Sequence, residues 1–306
     1  MRRLIVLGLL LGMGAITIAA ASFQNPPAGQ RRGGGGQQAP QPLQIQKVKD
    51  NLYMIIGEGG NTAAFITEGG VVVVDTKNPG NGPAILDKIK SVTPKPVVMI
   101  INTHTHGDHV GSNEAFSPSI DFVAQENTKA NMVKMDNFKG DKAQFLPKKT
   151  FKDKMKLLKG KDEIDLYYFG RAHTNGDAWV VFPAIRAMHS GDAFAAKNTP
   201  IIDVNNGGSA VEYGKTLSKA ASSIKNVDVI ITGHSNTTMT PLDLKEYAEF
   251  NNDFITWVQG EMTAGKTVDQ AAMEFKVPEK YKGYTVSTFF GGVKGNIQTA
   301  YNELKK

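Results

Sequence analysis

The sequence predicts one large α/β domain, and three observations point to it. Short β-branched runs recur between glycine turns, as buried strands do. Strands give way to strand–helix alternation, and the same series then repeats. The chain has 306 residues, 41% hydrophobic and 21% charged, enough to build a sizeable core.

In the first series, residues 52–56, 63–67 and 71–74 read as strands, with turns at Gly59–Gly60 and Gly69–Gly70. Residues 83–92 read as a helix that places Ile85, Leu86 and Ile89 on one face, and residues 97–101 read as a buried strand. In the second series, residues 164–169, 178–182, 185–188 and 227–232 read as strands. Helices are predicted over 127–135, 209–224, 242–260 and 291–304. Trp179 and Phe182 fit a sheet core, and the seven lysines within 148–161 fit a solvated face.

The first 42 residues have another texture. Arg2 and Arg3, an apolar run over 4–18, and Ala19 and Ala21 form the pattern of a cleavable signal peptide over 1–21. An uncleaved membrane anchor is the competing reading of the same run. Residues 22–42, rich in Gly, Gln and Pro, read as a flexible linker. The domain is then 43–306, exported to the periplasm or the medium, with no stable membrane insertion after cleavage.

The net charge is +6 and the sequence pI is 9.2. No basic patch interleaved with aromatics accompanies this charge, so a small-molecule substrate is expected and a nucleic acid is not. The chain has no cysteine. Disulfides and thiolate ligands are excluded, and a metal site must use His, Asp or Glu.

Those residue types cluster where the strand 97–101 ends. His104-Thr105-His106-Gly107-Asp108-His109 is an H-x-H-x-D-H run. In extended backbone, residues two apart face the same way, so His104 and His106 can grip one ion. Gly107 is expected to let the chain turn, bringing Asp108 and His109 towards a second ion. Such a run arises by chance in roughly one sequence in 10,000 of this composition.

The run resembles the metal motif of the metallo-β-lactamase superfamily. Three later segments resemble its other landmarks in the same order: Ala172-His173-Thr174-Asn175-Gly176-Asp177, Ser190-Gly191-Asp192 and Gly233-His234-Ser235. The resemblance covers about residues 43–304. It implies a four-layer αββα sandwich and a site for two Zn2+. In it, His104, His106 and His173 hold the first zinc, Asp108, His109 and His234 hold the second, and Asp192 bridges them. It further implies hydrolysis by a metal-bound hydroxide, which exists near neutral pH because zinc lowers the pKa of bound water to roughly 7. Asp108 is then both ligand and catalytic residue. His189 is the sixth histidine; a proton-donor role competes with plain packing in a strand.

The substrate implied is an ester, lactone, thioester or amide. Two departures bear on β-lactams. One group of zinc β-lactamases has Cys at the position of Asp192 and a substrate-binding Lys three residues on, where this chain has Ala195. Lys197 and Asn198, on the loop after Asp192, are the candidate substrate rim. A β-lactamase is the first alternative. An iron-dependent persulfide or thiol oxygenase, which keeps similar histidines, is an alternative of another class. Iron or mixed metals stay open beside zinc.

Overall fold

Alternate residues of a strand face opposite sides of its sheet, so a strand covered on both sides is apolar throughout. The run Val71–Val74 behaves this way: Val72 and Val74 face a second sheet, while Val71 and Val73 face helical cover. The computed structural model describes residues 42–305. The expected signal peptide, and the linker apart from its last residue, lie outside the described residues.

β1 (Gln44–Lys49), β2 (Leu52–Ile56), β3 (Thr62–Ile66) and β4 (Val71–Val74) form an antiparallel meander. α1 (Gly82–Lys90) crosses to β5 (Val97–Asn102), which lies parallel to β4. A one-turn α2 (Gly107–Val110) leads towards β6 (Asp121–Gln125), α3 (Glu126–Met132) and β7 (Lys149–Phe151). β5, β6 and β7 are parallel neighbours, which completes a seven-stranded sheet in the order β1 to β7.

The second sheet begins with β8 (Lys154–Leu157), β9 (Ile164–Tyr167), β10 (Trp179–Phe182) and β11 (Ala187–His189), all antiparallel. α4 (Ala210–Ser223) crosses to β12 (Val229–Ile231), which is parallel to β11. The five strands run in the order β12-β11-β10-β9-β8. α5 (Pro241–Thr263), α6 (Val268–Glu274) and α7 (Gly292–Leu304) complete the described chain. Thr240 and Asp243 close a reciprocal capping box at the start of α5.

The side chains give four layers. Leu52, Phe65 and Ile101 of the first sheet meet Leu166, Val180 and Phe182 of the second, with the Phe65 and Phe182 rings 4.7 Å apart. Ile85 and Ile89 of α1 cover the outer face of the first sheet. Tyr213, Leu217, Tyr247 and Ile297 of α4, α5 and α7 cover Trp179, Met188 and Ile230 on the outer face of the second. The αββα sandwich expected from the resemblance is therefore the observed fold. No helix of the described residues is long and apolar enough to cross a membrane.

Four strands escaped the sequence reading. β1 carries only Ile45 and Val48 among polar residues, and β6 offers only the three apolar residues Phe122-Val123-Ala124 between polar ends. β7 and β8 lie within the lysine-rich stretch 148–161 and are the outermost strands of the two sheets. Lys149, Lys154 and Lys156 point to solvent there, while Phe151 and Leu157 turn inward. The lysines are solvated, as expected, but three of the seven sit on edge strands, where charge discourages pairing with another sheet.

The two halves share a logic that positions the site. Each runs as an antiparallel meander and ends in parallel strands. The loops after β4, β5, β11 and β12 leave their sheets at carboxyl ends, where open α/β sheets place their ligands.

Candidate metal centre

Those loops carry the histidines and carboxylates. β5 delivers Thr103 to His106, and α2 adds Asp108 and His109. The β9–β10 connection supplies His173, the turn after β11 supplies Asp192, and the turn after β12 supplies His234. Ligand-type atoms of His104, His106, His173 and Asp192 lie within 4.8 Å of one another, and so do those of Asp108, His109 and His234. The seven residues singled out as ligands are thus brought together, in groups that match those the resemblance implies.

Asp192 stands between the groups. Its Oδ2 lies 3.6 Å from His173 Nε2 and 3.2 Å from His234 Nε2, and its Oδ1 lies 3.3 Å from His109 Nε2. Asp108 Oδ2 lies 3.3 Å from His234 Nε2. Two glycines permit this closeness. A Cβ on Gly233 would fall 1.8 Å from Asp192 Oδ1, and one on Gly60 would fall 2.2 Å from the His109 ring. Gly107 is a correction: its backbone is helical and a Cβ there would meet nothing, so the turn does not depend on it.

The outward nitrogens explain which inward nitrogens are free. His109 Nδ1 is 2.7 Å from Asp75 Oδ2. The Thr103 hydroxyl donates to the same carboxylate at 2.6 Å, so it accepts from His104 Nδ1 at 3.0 Å. His173 Nδ1 donates to the Ile201 carbonyl at 2.7 Å. His106 is the exception in sense: its Nε2 donates to Asp203 at 2.7 Å, and its Nδ1 faces His173 Nε2 at 2.9 Å. The outward nitrogens of these four rings are therefore held, and their remaining ring nitrogens point to the centre.

That centre fits divalent cations. His104 Nε2 and Asp192 Oδ1 are buried and make no hydrogen bond. Unpaired buried polar atoms are rare and call for a ligand or an ion. Imidazole and carboxylate are zinc-type donors. Burial, with His109 beside it, pushes His104 well below its ordinary value; burial and His106 push His173 down to about 3. Both are neutral and able to ligate at any ordinary pH. Burial alone would raise Asp192 and Asp203. His234 and His109 overcome it at Asp192, and hydrogen bonds from His106 and Asn206 overcome it at Asp203, so both carboxyls stay ionised.

Sequence reasoning missed Asp75 and Asp203. Both lie far along the chain from the ligands they orient and belong to no spacing pattern. The one local signal for Asp75 is that it ends the β4 valine run. Its backbone sits at φ 61°, and Lys77, two residues on, has the same φ. Lys77 is fully buried, donates to the Gly60 carbonyl at 2.7 Å, and is lowered to about 8 by burial.

Two expectations are corrected. His189 is buried on β11; its Nε2 donates to the Asn61 carbonyl at 3.0 Å and its Nδ1 accepts the Gly191 N–H at 3.0 Å. With both nitrogens engaged by backbone groups, neither is free to serve a leaving atom, and packing in the strand explains it. Lys197 points away from the site, ion-paired to Asp243 at 2.7 Å and Glu246 at 3.2 Å. Asn198 does reach the rim. It lines a cavity of about 510 Å³ over the cluster, with Gly59, Asn78, Ile201, Phe289, Phe290 and the exposed edges of His106, Asp108 and His234.

The family model described as the metallo-beta-lactamase superfamily matches residues 56–234, more than half of the chain. The chain belongs to the metallo-beta-lactamase superfamily. Among curated relatives of this superfamily member, a type 2 metallo-beta-lactamase of Elizabethkingia meningoseptica is 26% identical over 66% of this chain and 82% of its own. The alpha subunit of a 2,4-dinitroanisole O-demethylase from a Nocardioides strain is 27% identical over 49% of this chain and 46% of its own. Among solved structures, a stereoselective inverting sec-alkylsulfatase from Pseudomonas sp. superposes with TM-score 0.71 at 16% identity, covering 85% of this superfamily member. The chain spans only 50% of that alkylsulfatase. A metallo-beta-lactamase from Pontibacter korlensis superposes with TM-score 0.59 at 19% identity, over 69% of this chain and 99% of its own. At such identities the structural likeness concerns the fold.

Proposed function

We propose that the chain is an exported hydrolase that holds two divalent cations, zinc by preference, and cleaves an ester, lactone, thioester or amide-type bond. The observation that carries this is the convergence of inward ring nitrogens from two groups of ligands on one shared carboxylate, Asp192. Cations bound there supply a nucleophile drawn from water and polarise the attacked oxygen. The chain's own residues do the remaining work. Asp75, Thr103, Asp203 and the Ile201 carbonyl fix the imidazole tautomers. Asp108, on the open side of the cluster, is placed to take a proton from the attacking water and pass it to the departing atom. Asn198 and Asn78 line the rim as uncharged polar groups.

The test is metal removal. Protein treated with a chelator is expected to lose its hydrolysis of chromogenic esters, thioesters and lactones, and to regain it with zinc. Activity that survives chelation and shows no bound metal would sink the reading, and iron alone in protein from native cells would replace it with the oxygenase. β-Lactam cleavage is the second reading, favoured by the likeness to the type 2 metallo-beta-lactamase. A chromogenic cephalosporin on the same panel decides it. Export is supported by the composition of residues 1–21.

Proton release separates the two ligand groups. Burial would lower His109, but Asp192 and Asp75 overcome it and raise it well above 6.5; Asp192 also raises His234. A pKa well above 6.5 gives His109 a bound proton at pH 7, which the second cation must displace. His104 and His173 carry none. Stepwise calorimetry in buffers of different ionisation enthalpy should show the second equivalent of zinc releasing more protons than the first. Its affinity should fall sooner as pH drops. Equal release at both steps would contradict the assignment.

A further inference from the structure

We infer that the substrate carries an uncharged, apolar chain or ring that lies on Phe289 and Phe290. The inference rests on the hydrolase reading and names the class of substrate for that same site.

The segment between α6 and α7 exposes three large apolar side chains close together: Val286 at 52%, Phe289 at 67% and Phe290 at 47%. An isolated exposed apolar residue needs no explanation, but a cluster at the mouth of a cavity does. Both phenylalanines line the cavity over the ligand cluster. The Phe290 ring stacks on His106, with centroids 5.5 Å apart and planes at 26°.

Two features show that this placement is built. Phe290 takes φ 51° and ψ 37°, a left-handed conformation disfavoured for a bulky side chain. The segment is also tied to the rim. Thr199 N–H donates to the Thr285 carbonyl at 2.9 Å, Thr285 N–H donates to the Lys197 carbonyl at 3.1 Å, and Ser287 N–H donates to Thr199 Oγ1 at 2.9 Å. Beyond them, Asn296 Nδ2 donates to the Pro200 carbonyl at 2.6 Å. The aromatic rings therefore stay exposed on a braced support.

The charge around the cavity points the same way. Among the described residues, no Lys or Arg lines it. Lys197, the nearest candidate on the rim loop, is neutralised by Asp243 and Glu246, and Lys77 is buried against the Gly60 carbonyl. A carboxylate on the substrate's far end would find no Lys or Arg of the described residues, whereas an alkyl or aryl group would find Phe289, Phe290 and Ile201. Apolar ligand surface against apolar wall is favourable in proportion to the area removed from water.

The experiment uses the zinc-loaded protein and p-nitrophenyl acetate, butyrate, hexanoate and octanoate. For the native sequence, kcat/KM should rise by about threefold per added methylene. In a variant carrying Phe289→Ala and Phe290→Asn the rise should largely vanish; asparagine accepts the left-handed backbone, so the segment keeps its path. A p-nitrophenyl ester ending in a carboxylate should react at least about tenfold more slowly than its uncharged counterpart of equal length in the native protein. A second arm needs no turnover: equilibrium dialysis of 4-nitroacetophenone and 4-nitrohexanophenone should show tighter binding of the longer ketone, and the variant should lose that difference. A chain-length gain that persists in the variant, no gain in the native protein, or preference for the charged ester would overturn the inference. If no ester is cleaved, the hydrolase reading fails for esters while the ketones still decide the apolar contact. If the variant changes only the oligomeric state, the patch is an interface between copies and the inference is wrong.

Discussion

Asp192→Ala is expected to release bound metal and to lower kcat/KM by about a thousandfold or more, the scale of losing a centre that stabilises the reacting charge. The reason is its position. Among the described residues, Asp192 is the one carboxylate within reach of His109, His173 and His234 together, and it is buried with a ligand-type oxygen that makes no hydrogen bond. Alanine leaves the converging imidazoles without the anion that draws both ligand groups together. Metal content measured beside the rate makes the result decisive. A variant that keeps two equivalents of zinc and native rates would show that Asp192 does not join the groups.

Asp75→Ala should act first on stability. Asp75 is fully buried and accepts from Thr103 N–H at 2.8 Å, from the Thr103 hydroxyl at 2.6 Å and from His109 Nδ1 at 2.7 Å. Removing it strands several buried donors, at a cost of about 3–5 kcal/mol. For a domain of this size that lowers Tm by roughly 10 °C. Asp75→Asn should cost less, because asparagine keeps an acceptor and tolerates the left-handed backbone at φ 61°. Both variants should also weaken zinc at the group that includes His109, whose ring loses its orienting partner. Melting of Asp75→Ala within about 2 °C of the native protein would refute the stabilising role.

The pairing of these residues shows how legibility divides. Asp192 stands three residues after a strand-borne histidine and matches a motif, so its sequence position announces it. Asp75 supports the same cluster from a different strand end, and only the parallel pairing of β4 with β5 brings it under His109 and Thr103. Lys197 shows the opposite error: its proximity in sequence to Asp192 suggested a substrate contact, yet Asp243 and Glu246 on α5 turn it away. His189 is similar, since the Asn61 carbonyl that occupies it comes from 128 residues earlier in the chain.

What the sequence determined by itself was local in origin. Metal-ligand spacing, β-branched runs and helical periodicity are set over a few residues, so the H-x-H-x-D-H run, most of the buried strands and the helices over 83–92, 209–224, 242–260 and 291–304 could be read without coordinates. What the tertiary structure decided was pairing over distance. Edge strands such as β7 and β8 carry too little apolar surface to announce themselves, and exist because a neighbouring strand offers them hydrogen bonds. The choice of tautomer at each imidazole, the orientation of Lys197, and the exposure of Phe289 and Phe290 over the cluster follow likewise from groups remote in sequence. A hydrogen bond or an apolar wall needs both partners in place, and only the folded chain supplies the second.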